Sequence, residues 1–130
     1  MVIDTSALIA ILSAEPEAET FATAIAAANN RLLSAASFLE TAVVIESRHG
    51  SAGGEKLDEL IQAAHIQIEP VTAEQAAAAR LAYRSFGKGR HPAALNFGDC
   101  FAYALAKTTD KPLLFKGNDF NQTDITTALD

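Results

Sequence analysis

The chain has 130 residues, 49% of them hydrophobic, and a formal net charge of −6 at pH 7. This length fits one ordinary domain with a buried core, so we predict a single domain over residues 1–130. The negative charge disfavours broad binding of nucleic acid, which needs clustered Lys and Arg. No apolar run approaches the roughly 20 residues of a membrane span, and the single Cys100 excludes an internal disulfide. We therefore expect a cytoplasmic protein without a signal peptide.

Short apolar runs alternate with helical patterns along the chain. In the first half we predict a strand at 2–3, helices at 7–12 and from 16 to about 29, a strand at 31–34, a helix at 37–50 and a loop at 53–54. In the second half we predict a helix at 56–61, a strand at 66–69, helices from 72 to about 86 and from 96 to 107, and a strand at 113–115. This alternation predicts a three-layer α/β/α sandwich with a central, mainly parallel sheet.

Four acidic side chains fall where such a fold gathers a functional site. Asp4 ends the first strand and Asp119 follows the last, and parallel sheets bind ligands just beyond the carboxyl ends of their strands. Glu40 and Asp99 lie near the N-terminal ends of apolar helices, where the helix dipole favours a carboxylate. If all four converge, their mutual repulsion draws in a hard cation such as Mg²⁺, which prefers carboxylate and water oxygens and serves phosphoryl transfer.

Each of these acids except one also has a simple structural interpretation. Asp4 is suited to cap the following helix, Glu40 follows Ser37 at the spacing of a capping box, and Asp119 can initiate a turn. Asp99 is harder to explain in this way, because it places a charge at the start of an otherwise apolar helix.

Polar side chains beside the acids are predicted to support them. Thr5 or Ser6 is placed to hold a metal-bound water or a phosphate oxygen, with capping of the first helix as the alternative role for one of them. Asn118 adds a second oxygen ligand beside Asp119, and Asp124 offers a fifth carboxylate close behind.

One stretch of this acidic chain is basic. Between positions 75 and 96 there is no acid, and the stretch contains Arg80, Arg84, Lys88 and Arg90. The four-residue spacing of Arg80 and Arg84 fits either the solvated face of a helix or a surface that contacts nucleic-acid phosphates.

Four segments, taken together and in order, resemble the motifs of PIN-domain ribonucleases of the VapC toxin type. The segments are MVIDTSAL at 1–8, SAASFLE at 34–40, NFGDC at 96–100 and LFKGNDF at 114–120. Each segment alone is a weak signal, whereas four in the family's order at fitting spacings are specific. The resemblance maps the family's acidic quartet onto Asp4, Glu40, Asp99 and Asp119, with Thr5 or Ser6 and Asn118 as polar supports.

The resemblance implies an Mg²⁺- or Mn²⁺-dependent endoribonuclease in which metal-bound water attacks a phosphodiester and leaves a 5′-phosphate and a 3′-hydroxyl. It also implies a homodimer and a VapB-like antitoxin whose tail covers the acidic site. In a dimer, two basic stretches would lie near two acidic pockets, which is our hypothesis for how an acidic protein holds RNA.

Two rival hypotheses remain at this stage. The first is a PIN-like fold that is catalytically silent and serves only as a binding module. The second is an Mg²⁺-dependent phosphoacceptor domain. The sequence disfavours it, because such domains have a pair of adjacent acids early in the chain, whereas Asp4 has no acidic neighbour.

Overall fold

A four-stranded parallel sheet forms the centre of the computed structural model, which describes residues 1–129. The strands lie in the order β3-β2-β1-β4, and every neighbouring pair is parallel. Their bounds are Val2–Ile3 for β1, Leu32–Ser34 for β2, Gln67–Glu69 for β3 and Leu113–Leu114 for β4. Parallel strands require crossover connections, and helices supply them here.

Six α-helices and one 3₁₀ turn complete this part of the chain. The helices are α1 (Thr5–Leu12), α2 (Ala18–Ala27), α3 (Ala35–His49), α4 (Ser51–Ala63), α5 (Ala73–Phe86) and α6 (Phe97–Thr109), and the 3₁₀ turn is Phe120–Gln122. None of the helices formed by residues 1–129 combines the length and apolar character that spanning a bilayer requires.

Successive strand residues point to opposite sides of the sheet, so both of its faces are apolar. Helices cover each face and bury these side chains. Val2 and its aligned partners Leu32 and Leu113 face a core built with α5 and α6. Ile3 and its partner Leu114 face a second core built mainly with α1, α2, α3 and α4. The predicted three-layer α/β/α sandwich is therefore confirmed, and the sheet is wholly parallel.

The main error in the predicted elements concerns Gly53 and Gly54. Both lie inside α4, not in a loop. A Cβ on Gly53 would lie 2.8 Å from the backbone oxygen of Ile45 in α3, so the absence of a side chain there lets the two helices approach closely. A second error concerns the start of α3. The helix begins at Ala35, with Ser34 as its N-cap, so Ser37 lies inside the first turn.

Candidate acidic metal site

Asp4 lies at the carboxyl end of β1 and is only 4% exposed. Its Oδ2 accepts hydrogen bonds from the backbone N–H of Ser6 at 3.0 Å and from the Ser6 hydroxyl at 2.6 Å, so Asp4 is the N-cap of α1. Burial raises the pKa of Asp4 to about 6 against the opposing effect of the Ser6 hydrogen bonds, and repulsion from Asp99 and Glu40 adds to the rise. The capping interpretation is thus correct, and the same carboxylate also lies within the field of two other acids.

Ser6 connects Asp4 to the segment that follows the neighbouring strand β4. Its Oγ accepts a hydrogen bond from the backbone N–H of Lys116 at 2.9 Å, immediately beyond β4. Because Ser6 donates to Asp4 and accepts from Lys116, it holds the segment that leads to Asp119 beside the end of β1. The prediction that a hydroxyl at position 5 or 6 holds a metal-bound water or a phosphate oxygen stays a prediction for Ser6.

Glu40 reaches the site from the second turn of α3. The capping box proposed for Ser37 and Glu40 is wrong, because Ser34 caps the helix by accepting from the backbone N–H of Ala36 at 3.3 Å. A Cβ built on Gly98 would overlap Oε2 of Glu40. The Glu40 carboxylate therefore lies directly against the backbone that carries Asp99.

Asp99 is held at the first turn of α6 by a reciprocal pair of hydrogen bonds with Asn96. The Asn96 side chain accepts from the Asp99 N–H at 2.9 Å, and Oδ2 of Asp99 accepts from the Asn96 N–H at 2.9 Å. Burial raises the pKa of Asp99, the Asn96 N–H opposes the rise, and repulsion from Glu40 and Asp119 reinforces it. Asp99 contributes only its Oδ2 to the capping box, so its Oδ1 takes no part in these hydrogen bonds.

Asp119 lies in the exposed turn between β4 and the 3₁₀ helix. Its charge contributes to the raised pKa of Asp99, which places it on the same side of the molecule as the other acids. Asn118 is exposed beside it, and the Asn118 carbonyl accepts from the Gln122 side chain at 3.3 Å.

The four acids therefore form one electrostatic cluster, which we call the acidic cluster: Asp4, Glu40, Asp99 and Asp119. Within residues 1–129 none of them takes part in a salt bridge. Uncompensated carboxylates that raise one another's pKa favour the arrival of a cation. A set of carboxylate oxygens is the donor chemistry that Mg²⁺ and Mn²⁺ prefer.

The cluster is open and does not form a closed cage. Among residues 1–129, no group of three or more His, Cys, Asp or Glu side chains is drawn together closely enough to hold an ion as it stands. Mg²⁺ does not need such a cage, since it keeps several waters and is commonly bound by one or two carboxylates. The donor set fits such an ion, which would be held by carboxylates of the acidic cluster.

Two predicted supporting residues have other contacts. The Thr5 hydroxyl is buried and donates to the Ser37 carbonyl at 3.1 Å, which ties α1 to α3. Asp124 accepts from the Tyr103 hydroxyl at 2.5 Å and from Lys107 Nζ at 3.0 Å. These contacts assign Thr5 and Asp124 to helix packing and to the anchoring of the C-terminal segment, not to the acidic cluster.

Two residues that shape the cluster were missed in the sequence. Asn96 stands three residues before Asp99, and an Asn-x-x-Asp spacing ahead of an apolar helix is a recognisable variant of a capping signal. Gly98 leaves the space that the Glu40 carboxylate fills. A glycine inside a helix, where it disfavours the helical state, is a signal for such a close approach.

The four basic residues lie on one stretch of surface but differ in their surroundings. Arg80 and Lys88 line a groove between α5 and α6, together with Asn96. The Arg90 guanidinium lies 5.8 Å from the centroid of the Tyr83 ring. Arg84 is exposed on α5, one turn after Arg80, and does not line this groove.

The fold and the site together define the class of this protein. It is an α/β/α sandwich in which acids from the ends of β1 and β4 and from helices α3 and α6 form one acidic site. The chain belongs to the PIN-domain family, whose sequence model matches residues 1–125. It is 59% identical over 128 residues to Ribonuclease VapC30 of Mycobacterium tuberculosis, with 98% of each chain covered. It is 58% identical over 125 residues to Ribonuclease VapC of Mycolicibacterium smegmatis, with 96% of this chain and 97% of the relative covered. The family resemblance found in the sequence is confirmed.

Solved structures agree on the fold. The Mycobacterium tuberculosis VapC20 toxin, described as cleaving the sarcin-ricin loop, aligns with a TM-score of 0.77 at 17% identity over 96% of this chain and 95% of that one. A toxin-antitoxin complex from Klebsiella pneumoniae aligns with a TM-score of 0.72 at 18% identity over 99% and 98%. At these identities the likeness concerns the fold alone.

Proposed function

We propose that this protein is a VapC-type toxin: an endoribonuclease that depends on Mg²⁺ or Mn²⁺ and is neutralised by an antitoxin. The observation that carries the proposal is the acidic cluster, in which Asp4 and Asp99 both have a raised pKa and acquire it partly from their acidic neighbours. The 59% identity to a protein named as a ribonuclease supports the same activity for this chain.

In this proposal the acidic cluster holds the metal ion. Asp4, Glu40, Asp99 and Asp119 supply carboxylate oxygens, and Ser6 and Asn96 fix the orientation of Asp4 and Asp99 through hydrogen bonds. When bound, a divalent ion lowers the pKa of a coordinated water and neutralises charge on a phosphodiester. The exposed position of Asp119 leaves the cluster open to a large substrate on that side.

Binding of RNA needs positive charge that the acidic cluster cannot supply. Arg80, Arg84, Lys88 and Arg90 lie outside every salt bridge within residues 1–129, so their charges remain available for phosphates. In the proposed homodimer, two such stretches flank two acidic clusters. Loss of RNA affinity on substitution of Arg84 and Arg90 is the expected result, and unchanged affinity would refute this part.

The antitoxin is proposed by analogy with the toxin-antitoxin complex of similar fold. A partner that silences this site must neutralise the uncompensated acids, and a basic side chain placed against Asp4 and Asp99 would do so. Such a partner would also exclude RNA from the open side of the acidic cluster.

The experiment that tests the function is RNA cleavage by protein purified free of any antitoxin. Structured transfer and ribosomal RNAs are incubated with Mg²⁺, with Mn²⁺ or with EDTA. We expect discrete fragments that disappear in EDTA and in Asp99→Asn, a change that keeps an oxygen able to accept the Asn96 N–H. Asp124→Asn is the matched control, because it removes a carboxylate outside the acidic cluster, and it should cleave normally. Cleavage that persists in EDTA would refute the metal-dependent mechanism.

A further inference from the structure

The groove between α5 and α6 has a volume of about 540 Å³ and opens beside the acidic cluster. This volume lies within the roughly 300–1,000 Å³ typical of sites for small organic groups. Asn96 and Cys100, which line the groove, flank Asp99 on α6. A group bound in the groove would therefore lie next to one of the proposed metal ligands.

Aromatic rings form much of the groove wall. Phe97 is 78% exposed, and its ring meets that of Phe101 edge to face at a centroid distance of 5.0 Å. Tyr83, which is 40% exposed, lines the groove from α5. Two small residues of α5, Ala76 and Ala79, also line the groove. Phe97 lies in the first turn of α6 and outside both hydrophobic cores, so the exposed part of its ring is available to a ligand.

Two cations border the same apolar surface. Arg80 and Lys88 line the groove, and neither forms a salt bridge within residues 1–129. Aromatic faces next to unpaired cations are the combination that binds single-stranded nucleic acid, since bases stack on the rings while phosphates meet the charges. A purely apolar peptide would leave both cations without partners.

We propose that this groove is a subsite for an unpaired nucleotide of the RNA substrate, with the base stacked on Phe97 and a phosphate held by Arg80 and Lys88. The proposal rests on the proposed ribonuclease function and adds a substrate class to it. Paired bases are already stacked within a helix and do not offer their faces, so the subsite selects loops, bulges or ends.

Binding of a labelled oligoribonucleotide, measured by fluorescence anisotropy, tests the subsite. The Asp99→Asn background in Mg²⁺ separates binding from cleavage. In this background, Phe97→Ala should weaken binding of an unpaired oligonucleotide roughly ten-fold, in line with the loss of one stacked base. Leu81→Ala is the matched control, because Leu81 is 56% exposed on α5 and lines a different groove, and it should not change the affinity. Arg80→Ala should weaken binding more than Arg84→Ala, which removes the same charge one turn away.

The outcomes separate the subsite from the proposed function. Equal affinities for Phe97→Ala and Leu81→Ala, or equal binding of paired and unpaired RNA, would overturn the subsite even if the wild type cuts RNA. Binding that depends on Phe97 in a protein that cuts no RNA would uphold the subsite and refute the ribonuclease. If Phe97→Ala leaves RNA affinity unchanged but converts a dimer to a monomer in sedimentation, the groove belongs to a second copy of the chain and the proposal fails.

Discussion

Asp4 is a carboxylate that folding places at 4% exposure, with Ser6 donating both of its hydrogen bonds. Its pKa rises from 3.8 to about 6 on folding. Between these values the folded state binds more protons than the unfolded state, so the free energy of unfolding falls as the pH rises from about 4 to about 6. Ionised Asp4 at neutral pH therefore destabilises the metal-free fold by about 3 kcal/mol.

Asp4→Asn removes this cost while keeping an oxygen that accepts from Ser6. In EDTA we expect the variant to gain stability relative to wild type as the pH rises, by about 3 kcal/mol between pH 4 and pH 7. Denaturant unfolding of both proteins at several pH values measures the difference. A stability difference that does not change with pH would contradict the burial argument for Asp4. The same variant should lose ribonuclease activity.

Gly98 offers a test of how Glu40 is positioned. In Gly98→Ala the new Cβ would collide with Oε2 of Glu40, which is the mobile end of a flexible side chain. The carboxylate should swing away at little cost to folding, and the helix should gain up to about 1 kcal/mol from the alanine. We expect a large loss of RNA cleavage in a protein that melts at or above the wild-type temperature. Full activity would show that the close approach of Glu40 to α6 has no role in the site.

The residues of the acidic cluster differ in how well the sequence predicted their structural role. Asp4 was predicted from its place after an apolar run, because any parallel sheet brings strand ends to one edge. The interpretation of Glu40 as a capping residue failed, because the N-cap of α3 is Ser34, three residues before Ser37. The spacing of residues along the chain predicts local geometry such as helix caps. The contact between Glu40 and Gly98 joins positions 58 residues apart in sequence, so only the folded structure shows it.

At the scale of elements, the pair Gly53 and Gly54 provides a matched comparison within α4. A Cβ on Gly53 would lie 2.8 Å from the Ile45 backbone oxygen, whereas on Gly54 it would meet only the Glu46 side chain at 3.0 Å. We expect Gly53→Ala to destabilise the protein by about 1–3 kcal/mol through overpacking. Gly54→Ala should be neutral or stabilising by up to about 1 kcal/mol, because Glu46 can move.

Thermal or denaturant unfolding of the two alanine variants separates these effects. If both variants lose or both gain stability, the close approach of α3 and α4 is not the reason for glycine at 53. The comparison also explains why the sequence misled here. Two adjacent glycines usually mark a turn, and nothing local distinguishes a glycine that permits helix packing from one that ends a helix.

The order of strands and helices was predictable because apolar runs and helical patterns alternate clearly. The first and last residues of each element were harder to predict. Strand β3, for example, begins at Gln67 and lies at the sheet edge, where exposed positions weaken the apolar pattern. The assignment of strand faces also needed the structure, since Val2 and Ile3 look alike in sequence but belong to different cores.

At the scale of the whole molecule, two regions of opposite charge lie close together. The acidic cluster and the basic stretch meet at α6, whose first turn carries both Asp99 and residues of the groove. A net charge of −6 would repel RNA at long range. Neutralising the acids, by a bound divalent ion or by a substitution such as Asp99→Asn, should therefore strengthen RNA binding by the basic stretch and the groove.

The most direct test of this account is a calorimetric titration of Mn²⁺ into the metal-free protein. We expect wild type and Asp124→Asn to bind the ion alike, and Asp99→Asn to bind it much more weakly or not at all. Asp124 is the proper control because it accepts hydrogen bonds from Tyr103 and Lys107 outside the acidic cluster. Absence of binding to wild type, or equal binding to all three proteins, would contradict the central claim that the four acids form one metal site.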